Sequence, residues 1–251
     1  MMSDPEGTIL ALFAAFCRIG GCIMVLPGFS SFRVPVQIRL FIAVAISMAL
    51  LPMLWETLYP NVQTGGGIYI GLIGTELLIG VTFGLIARYI VLALQFAGTG
   101  LSMAIGFNAA PGGGLLETEQ EGNITSLITF TAVLLLFLSD FHHMVIEALL
   151  RSYDFMPLGS GFDPQMALMT LTDTLAGAFM LVLRLASPFL VYSMAFNLSI
   201  GLINKLAPAI PVYFITIPFI LAGGLLLLFF GSQEFFKQFL DGFVPLFMGL
   251  R

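Results

Sequence analysis

The run IYIGLIGTELLIGVTFGLIARYIVLALQFAGTGLSMAIGFN, from Ile68 to Asn108, decides the fold, because its only charges are Glu76 and Arg88 and it contains no proline. A bilayer core about 30 Å thick is crossed by about 20 helical residues rising 1.5 Å each. The run is about twice that length, so a simple crossing cannot use it all. It must bend, or carry Arg88 and its neighbours above the bilayer. Working outward, comparable apolar runs punctuated by Pro, Gly and charge predict further helices over residues 8–26, 36–54, 123–151, 164–184, 187–206 and 210–249. The last is expected to break near Gly231-Ser232, and Pro211 and Pro218 argue against a straight rod there.

Composition supports this reading. Hydrophobic residues fill 59% of the 251 positions and charged residues 9%, against about a quarter charged in an ordinary soluble domain. The fold class is therefore all-α, a polytopic integral membrane protein of long, partly broken helices. The formal charge of −5 and the lack of a Lys/Arg run exclude nucleic acid as a partner. No linker, low-complexity tract or strong repeat divides the chain, so residues 1–251 are expected to form one membrane domain. Asp4 and Glu6 stand where a secretory signal carries Lys or Arg, so the first apolar segment is expected to be retained. The connection Pro27–Arg39 carries Arg33 and Arg39 and no acid, which places it on the cytoplasmic side. Glu117, Glu119 and Glu121 crowd another connection but add little to that rule.

Few residues are equipped for chemistry. Cys17 and Cys22 lie five apart on one helix, about 7.5 Å along its axis and on diverging faces, so they read as packing thiols. Arg18, Glu76, Arg88, Asp173, Arg184 and Lys205 lie within or beside apolar helices, where an unpaired charge facing lipid costs at least about 3 kcal/mol. They either pair with one another or with a neighbouring subunit, or form an ion path. Gly67/Gly71, Gly80/Gly84 and Ala93/Ala97 repeat small residues at fourfold spacing. This pattern serves close helix packing within the chain or docking of other subunits.

Asp140, His143 and Glu147 share a helical face at i, i+3 and i+7. They could hold a metal, but no frame such as H-E-x-x-H accompanies them, and a polar cluster at a helix end is the plainer reading. His142 is expected to point about 100° from His143. The segment Gly106-Phe107-Asn108-Ala109-Ala110-Pro111-Gly112-Gly113-Gly114-Leu115-Leu116 interrupts two apolar helices with permissive backbone. It is a pore element if it lies deep and a turn if it lies in water.

A family resemblance runs through these residues. Arg18, Pro27, Val34-Pro35 and Arg39 open it; Gln95-Phe96-Ala97-Gly98, Gly106-Phe107, Leu136-Phe137-Leu138, His142-His143, Ser152-Tyr153 and Pro157-Leu158-Gly159 continue it. Pro188, Asn197, Gly201, Asn204, Lys205, Pro208 and Pro211 complete it. In order and spacing the chain resembles the FliR/SctT family of type III secretion export-gate proteins over nearly its whole length. It departs from the family at Phe141, where glycine is common, and at Ala110-Pro111, where an acidic residue commonly precedes the proline.

The resemblance implies a non-enzymatic subunit of the bacterial inner membrane, without cofactor or metal. It would assemble with FliP-like and FliQ-like subunits, and beside FlhB-like and FlhA-like export proteins, around a pore for unfolded polypeptide. It further implies that the loop from Gly106 to Gly122, with Gly106, Phe107, Asn108, Pro111, Gly112, Gly113, Gly114, Leu115 and Leu116, helps plug the closed pore. Rival readings are an ion- or proton-coupled secondary transporter using Arg88, Glu76 and Lys205, although no second related half is visible, and an intramembrane enzyme centred on His143 and Glu147.

Overall fold

A computed structural model describes residues 4–30, 34–62, 66–107, 123–209 and 211–248. Seven helices account for most of them: α1 Pro5–Val25, α2 Val36–Val62, α3 Gly66–Ala104, α4 Asn123–Leu138, α5 Phe141–Phe155, α6 Pro164–Leu206 and α7 Val212–Met248. Five are long and apolar enough to cross a membrane, or six spans if the bent pair α4–α5 counts as one. Large apolar side chains such as Phe41, Ile70, Phe214, Phe229 and Phe230 stand outward. A chain folding in water would not leave so much apolar surface uncovered. This is the polytopic all-α membrane protein that the composition demands.

Four expected boundaries move. The 123–151 helix is two helices, bent by 65° at Ser139-Asp140. Asp140 has φ 58° and ψ 29°, a left-handed conformation that stops a right-handed helix. Conversely, the helices expected over 164–184 and 187–206 are the single helix α6, which passes straight through Pro188. Proline at 188 leaves the carbonyl of Arg184 without its usual amide donor. The Ser187 hydroxyl donates to that carbonyl at 2.9 Å, which satisfies it and lets the helix continue. Likewise α7 does not break at Gly231-Ser232, where the Ser232 hydroxyl donates to the Phe229 carbonyl at 2.9 Å. Helix α2 extends past its expected end to Val62 through Pro52 and Pro60.

The chain divides into two compact units, one of Met1–Ile90, Leu136–Leu175 and Leu246–Arg251, the other of Val91–Leu135 and Ala176–Pro245. In the first, Asp4 starts α1 by accepting from the Gly7 amide at 3.1 Å, with Pro5 in the first turn. Tyr59 of α2 donates its hydroxyl to Asp4 Oδ2 at 3.0 Å, and Tyr69 of α3 donates to the Leu10 carbonyl at 2.8 Å. Both pin α1 between its neighbours. Arg39 donates through Nη2 to the Val34 carbonyl at 2.9 Å, while Arg33 lies outside the described residues.

In the second unit, Gly98 and Ser102 of α3 meet Thr125 of α4, and a Cβ on Gly98 would lie 3.2 Å from Thr125 Cγ2. Tyr192 of α6 donates to the Ile220 carbonyl of α7 at 2.8 Å, in space that Gly223 leaves free of a Cβ. Phe239 and Phe243 fill the interior of α7's inner face.

Candidate functional site

Helices α1 and α3 cross so closely that side chains are excluded from the crossing. A Cβ on Gly80 would strike the Arg18 carbonyl, one on Gly84 would lie 2.7 Å from the Cys22 carbonyl oxygen, and one on Gly21 2.8 Å from that of Leu77. Gly80 and Gly84 thus serve packing within the chain. Among the described residues, a Cβ on Gly67 or Gly71 would meet nothing within 4 Å. Ala97 is buried and Ala93 half-buried. Cys17 and Cys22 are free and buried on α1.

This approach brings together two of the six charges singled out in the sequence. Glu76 stands one turn before Gly80 on the same face of α3, and Arg18 reaches it from α1. Arg18 Nε donates to Glu76 Oε2 at 2.7 Å and Arg18 Nη2 to Glu76 Oε1 at 2.7 Å, a two-pronged pair. Arg18 Nη1 also donates to Ser152 Oγ at 2.9 Å, and Nη2 to the Met156 carbonyl at 2.9 Å. Four of the five guanidinium N–H groups are thereby engaged. The guanidinium carbon lies 3.7 Å from the centre of the Tyr153 ring. Arg18 and Glu76 are 0% and 1% exposed. Ser152 completes its own bonding by donating to the Leu149 carbonyl at 2.6 Å.

One cation therefore ties α1 to α3, to α5 and to the turn that follows α5. Its bonds make the cluster a fastener between those elements. Ser152 and Tyr153 were visible in the sequence only as part of the family pattern; here they are the floor under Arg18. Tyr153→Phe keeps the ring face and Tyr153→Leu removes it, so the leucine variant is expected to lose about 1–2 kcal/mol more stability. Thermal unfolding in detergent tests the order, and equal losses would count against a contribution from the ring face.

The other charges are not drawn together. Arg88, Asp173, Arg184 and Lys205 are exposed, because this chain leaves their helix faces uncovered, and none makes an ion pair among the described residues. Glu76, held by Arg18, is not linked by hydrogen bonds to Arg88 or Lys205 there. Arg184 instead lines a groove of about 300 Å³ with Ser187, Pro188, Glu234 and Gln238, the last donating to Glu234 Oε1 at 3.1 Å. Glu234 carried no signal beyond its charge.

The polar cluster at the start of α5 differs from its sequence reading. Glu147 accepts from Arg151 Nη2 at 2.6 Å, one turn on, leaving Asp140 and His143 to each other at 3.3 Å. His142 does not diverge: its ring centre lies 4.2 Å from that of His143. Helical side chains lean toward the N-terminus, and in a first turn no preceding turn blocks them, so both rings overhang Asp140. Of the proposed plug segment, Gly106 has φ 75° and Phe107 is half-buried. Asn108, Pro111, Gly112, Gly113, Gly114, Leu115 and Leu116 lie outside the described residues.

Long apolar helices, an outward apolar surface and an internal charged fastener define a polytopic all-α membrane protein. Residues 9–245 match the family described as bacterial export proteins, family 1, and the chain belongs to that family. It is 32% identical over 216 residues to the flagellar biosynthetic protein FliR of Caulobacter vibrioides, covering 85% of this chain and 84% of that protein. It is 26% identical over 219 residues to FliR of Escherichia coli K12, covering 86% and 82%. With FliR of Aquifex aeolicus it shares 26% identity over 255 residues, covering 93% and 94%.

Proposed function

We propose that this chain is a core subunit of the flagellar type III export gate in the bacterial inner membrane, at the basal body. The observation that carries this reading is the family match across residues 9–245, joined to relatives that bear the name flagellar biosynthetic protein FliR along most of their length. The subunit assembles with FliP-like and FliQ-like proteins around a pore for unfolded polypeptide, next to FlhA-like and FlhB-like export proteins. It acts by conformational gating, with no bond-breaking step of its own. Helices α3, α4, α6 and α7 each contribute to both compact units, which favours residues 1–251 acting as one domain.

The uncovered charges Arg88, Asp173, Arg184 and Lys205, and the open Gly67/Gly71 stripe, suit contact with neighbouring subunits, since facing lipid would be costly for the charges. The loop from Gly106 to Gly122 helps plug the closed pore. Three consecutive glycines after a proline give that loop a backbone that can rearrange when a chain passes.

Co-expression of the tagged chain with FliP-like and FliQ-like proteins from the same genome, followed by native mass spectrometry in detergent, tests the assembly. A hetero-oligomer containing this chain is expected. A lone monomer or homodimer beside well-expressed partners would favour the transporter reading instead. Deleting residues 111–119 is expected to leave that hetero-oligomer intact but to make the resting membrane leaky to small ions, read as a loss of dye or ion retention in cells. A membrane that stays tight would remove the plug role.

A further inference from the structure

Asp140 occupies the position before α5 where an aspartate ordinarily caps the helix by accepting from a first-turn amide. Here its carboxylate makes no such bond. It faces two imidazoles instead: Asp140 Oδ1 lies 3.3 Å from His143 Nδ1, and the His142 ring lies beside that of His143. His142 is stacked on Phe137 from the end of α4, with ring centres 6.3 Å apart and planes 18° apart, and its Nδ1 is buried without a hydrogen-bond partner among the described residues. One ring nitrogen from each histidine and one carboxylate oxygen lie within 4.8 Å of one another. Among the described residues Asp140 is also the one non-glycine residue with positive φ, a conformation that costs free energy and recurs at ligand sites.

We propose that Asp140, His142 and His143 bind a divalent cation of the zinc type at the elbow between α4 and α5. Two imidazoles and a carboxylate form a donor set suited to Zn²⁺, Co²⁺ or Ni²⁺ and poorly suited to Mg²⁺ or Ca²⁺. Metal bonds of 2.0–2.1 Å set neighbouring tetrahedral ligands about 3.3 Å apart, which is the spacing of Asp140 Oδ1 and His143 Nδ1. His142 already brings a ring nitrogen within 4.8 Å of both. The amides at the start of α5 disfavour a cation, and the Asp140 carboxylate offsets them. Three protein ligands leave a fourth position for water. Asp140 and His143 are exposed, so a cation reaches them without opening the fold. A bound ion would hold the two residues at the bend and the first turn of α5 in one arrangement, fixing the elbow.

The test is titration of the full-length chain, purified in detergent on a tag without histidine, with Zn²⁺ by calorimetry and with Co²⁺ by visible absorption. One saturable site per chain with the visible bands of tetrahedral Co²⁺ is expected. Asp140→Asn, His143→Ala and His142→Phe should each weaken binding by about tenfold or more, the phenylalanine retaining the stack on Phe137. Glu147→Gln should leave it unchanged, because Glu147 is engaged by Arg151. Absence of a saturable site, full binding by His142→Phe, or an equal loss in Glu147→Gln would overturn the proposal.

Discussion

Arg18→Met and Glu76→Leu, made singly, are each expected to destabilise the chain by about 3–5 kcal/mol, while the double variant loses far less than the sum. Each single change strands one buried charge: Glu76 would keep its carboxylate with no cation at 2.7 Å, or Arg18 would keep its charge with the two-pronged acceptor gone. Removing both ends that penalty, and apolar side chains of similar volume fill the space. Recovery should stop short of wild type. The Met156 carbonyl loses the donor that Arg18 supplied at 2.9 Å, whereas Ser152 keeps its bond to Leu149. A fully buried acceptor that loses its donor costs about 1–3 kcal/mol, and this part-buried one less. Thermal unfolding in detergent of the four proteins closes the cycle, and flagellar export in cells reads its consequence. If the double variant were as unstable as the two singles combined, the pair would not be acting as a unit. A Glu76 that served an ion path would give another pattern: full stability in the double variant with transport lost.

How much of this was open to sequence reading follows from which forces act locally. Helix existence was legible because apolar runs of this length have no other fate in a bilayer. Helix continuity was not, since prolines and glycines that read as breaks lie inside continuous helices. Ser187 bonding to Arg184 carries α6 through Pro188, and a reader of proline alone stops there. Asp140 gives the opposite lesson, for a left-handed aspartate leaves no mark in composition, yet it splits the 123–151 helix. Arg18 and Glu76 were visible as charges in apolar surroundings, but 58 residues separate them and only the glycine crossing shows that they meet. The same limit applied to His142, whose direction was judged from an ideal helix although it sits in a first turn where side chains lean past the end. Arg88, Asp173, Arg184 and Lys205 illustrate a different one: the described residues leave their faces uncovered, so their place as charges in apolar helices does not say what they meet.

Glycine substitutions along α3 separate packing inside the chain from packing against others. Gly80→Ala is expected to destabilise by at least about 3 kcal/mol, the upper end of the usual overpacking range. Its new methyl would strike the Arg18 carbonyl, a backbone atom of a helix that cannot rotate aside, so α1 and α3 must move apart. Because Glu76 lies on the same face one turn earlier, that separation also stretches the bonds holding it to Arg18. The loss should therefore exceed what one methyl group's volume alone would cause. Gly71→Ala on the same helix has nothing within 4 Å to strike. Alanine also favours the helix by up to about 1 kcal/mol over glycine, so the isolated chain should unfold at the same or a slightly higher temperature. If neighbouring subunits pack on that open stripe, Gly71→Ala will weaken the co-purified hetero-oligomer while sparing the single chain, and Gly80→Ala will lower the stability of both. A Gly80→Ala chain as stable as wild type would mean that the α1–α3 crossing is looser than described, and the Arg18 fastener with it.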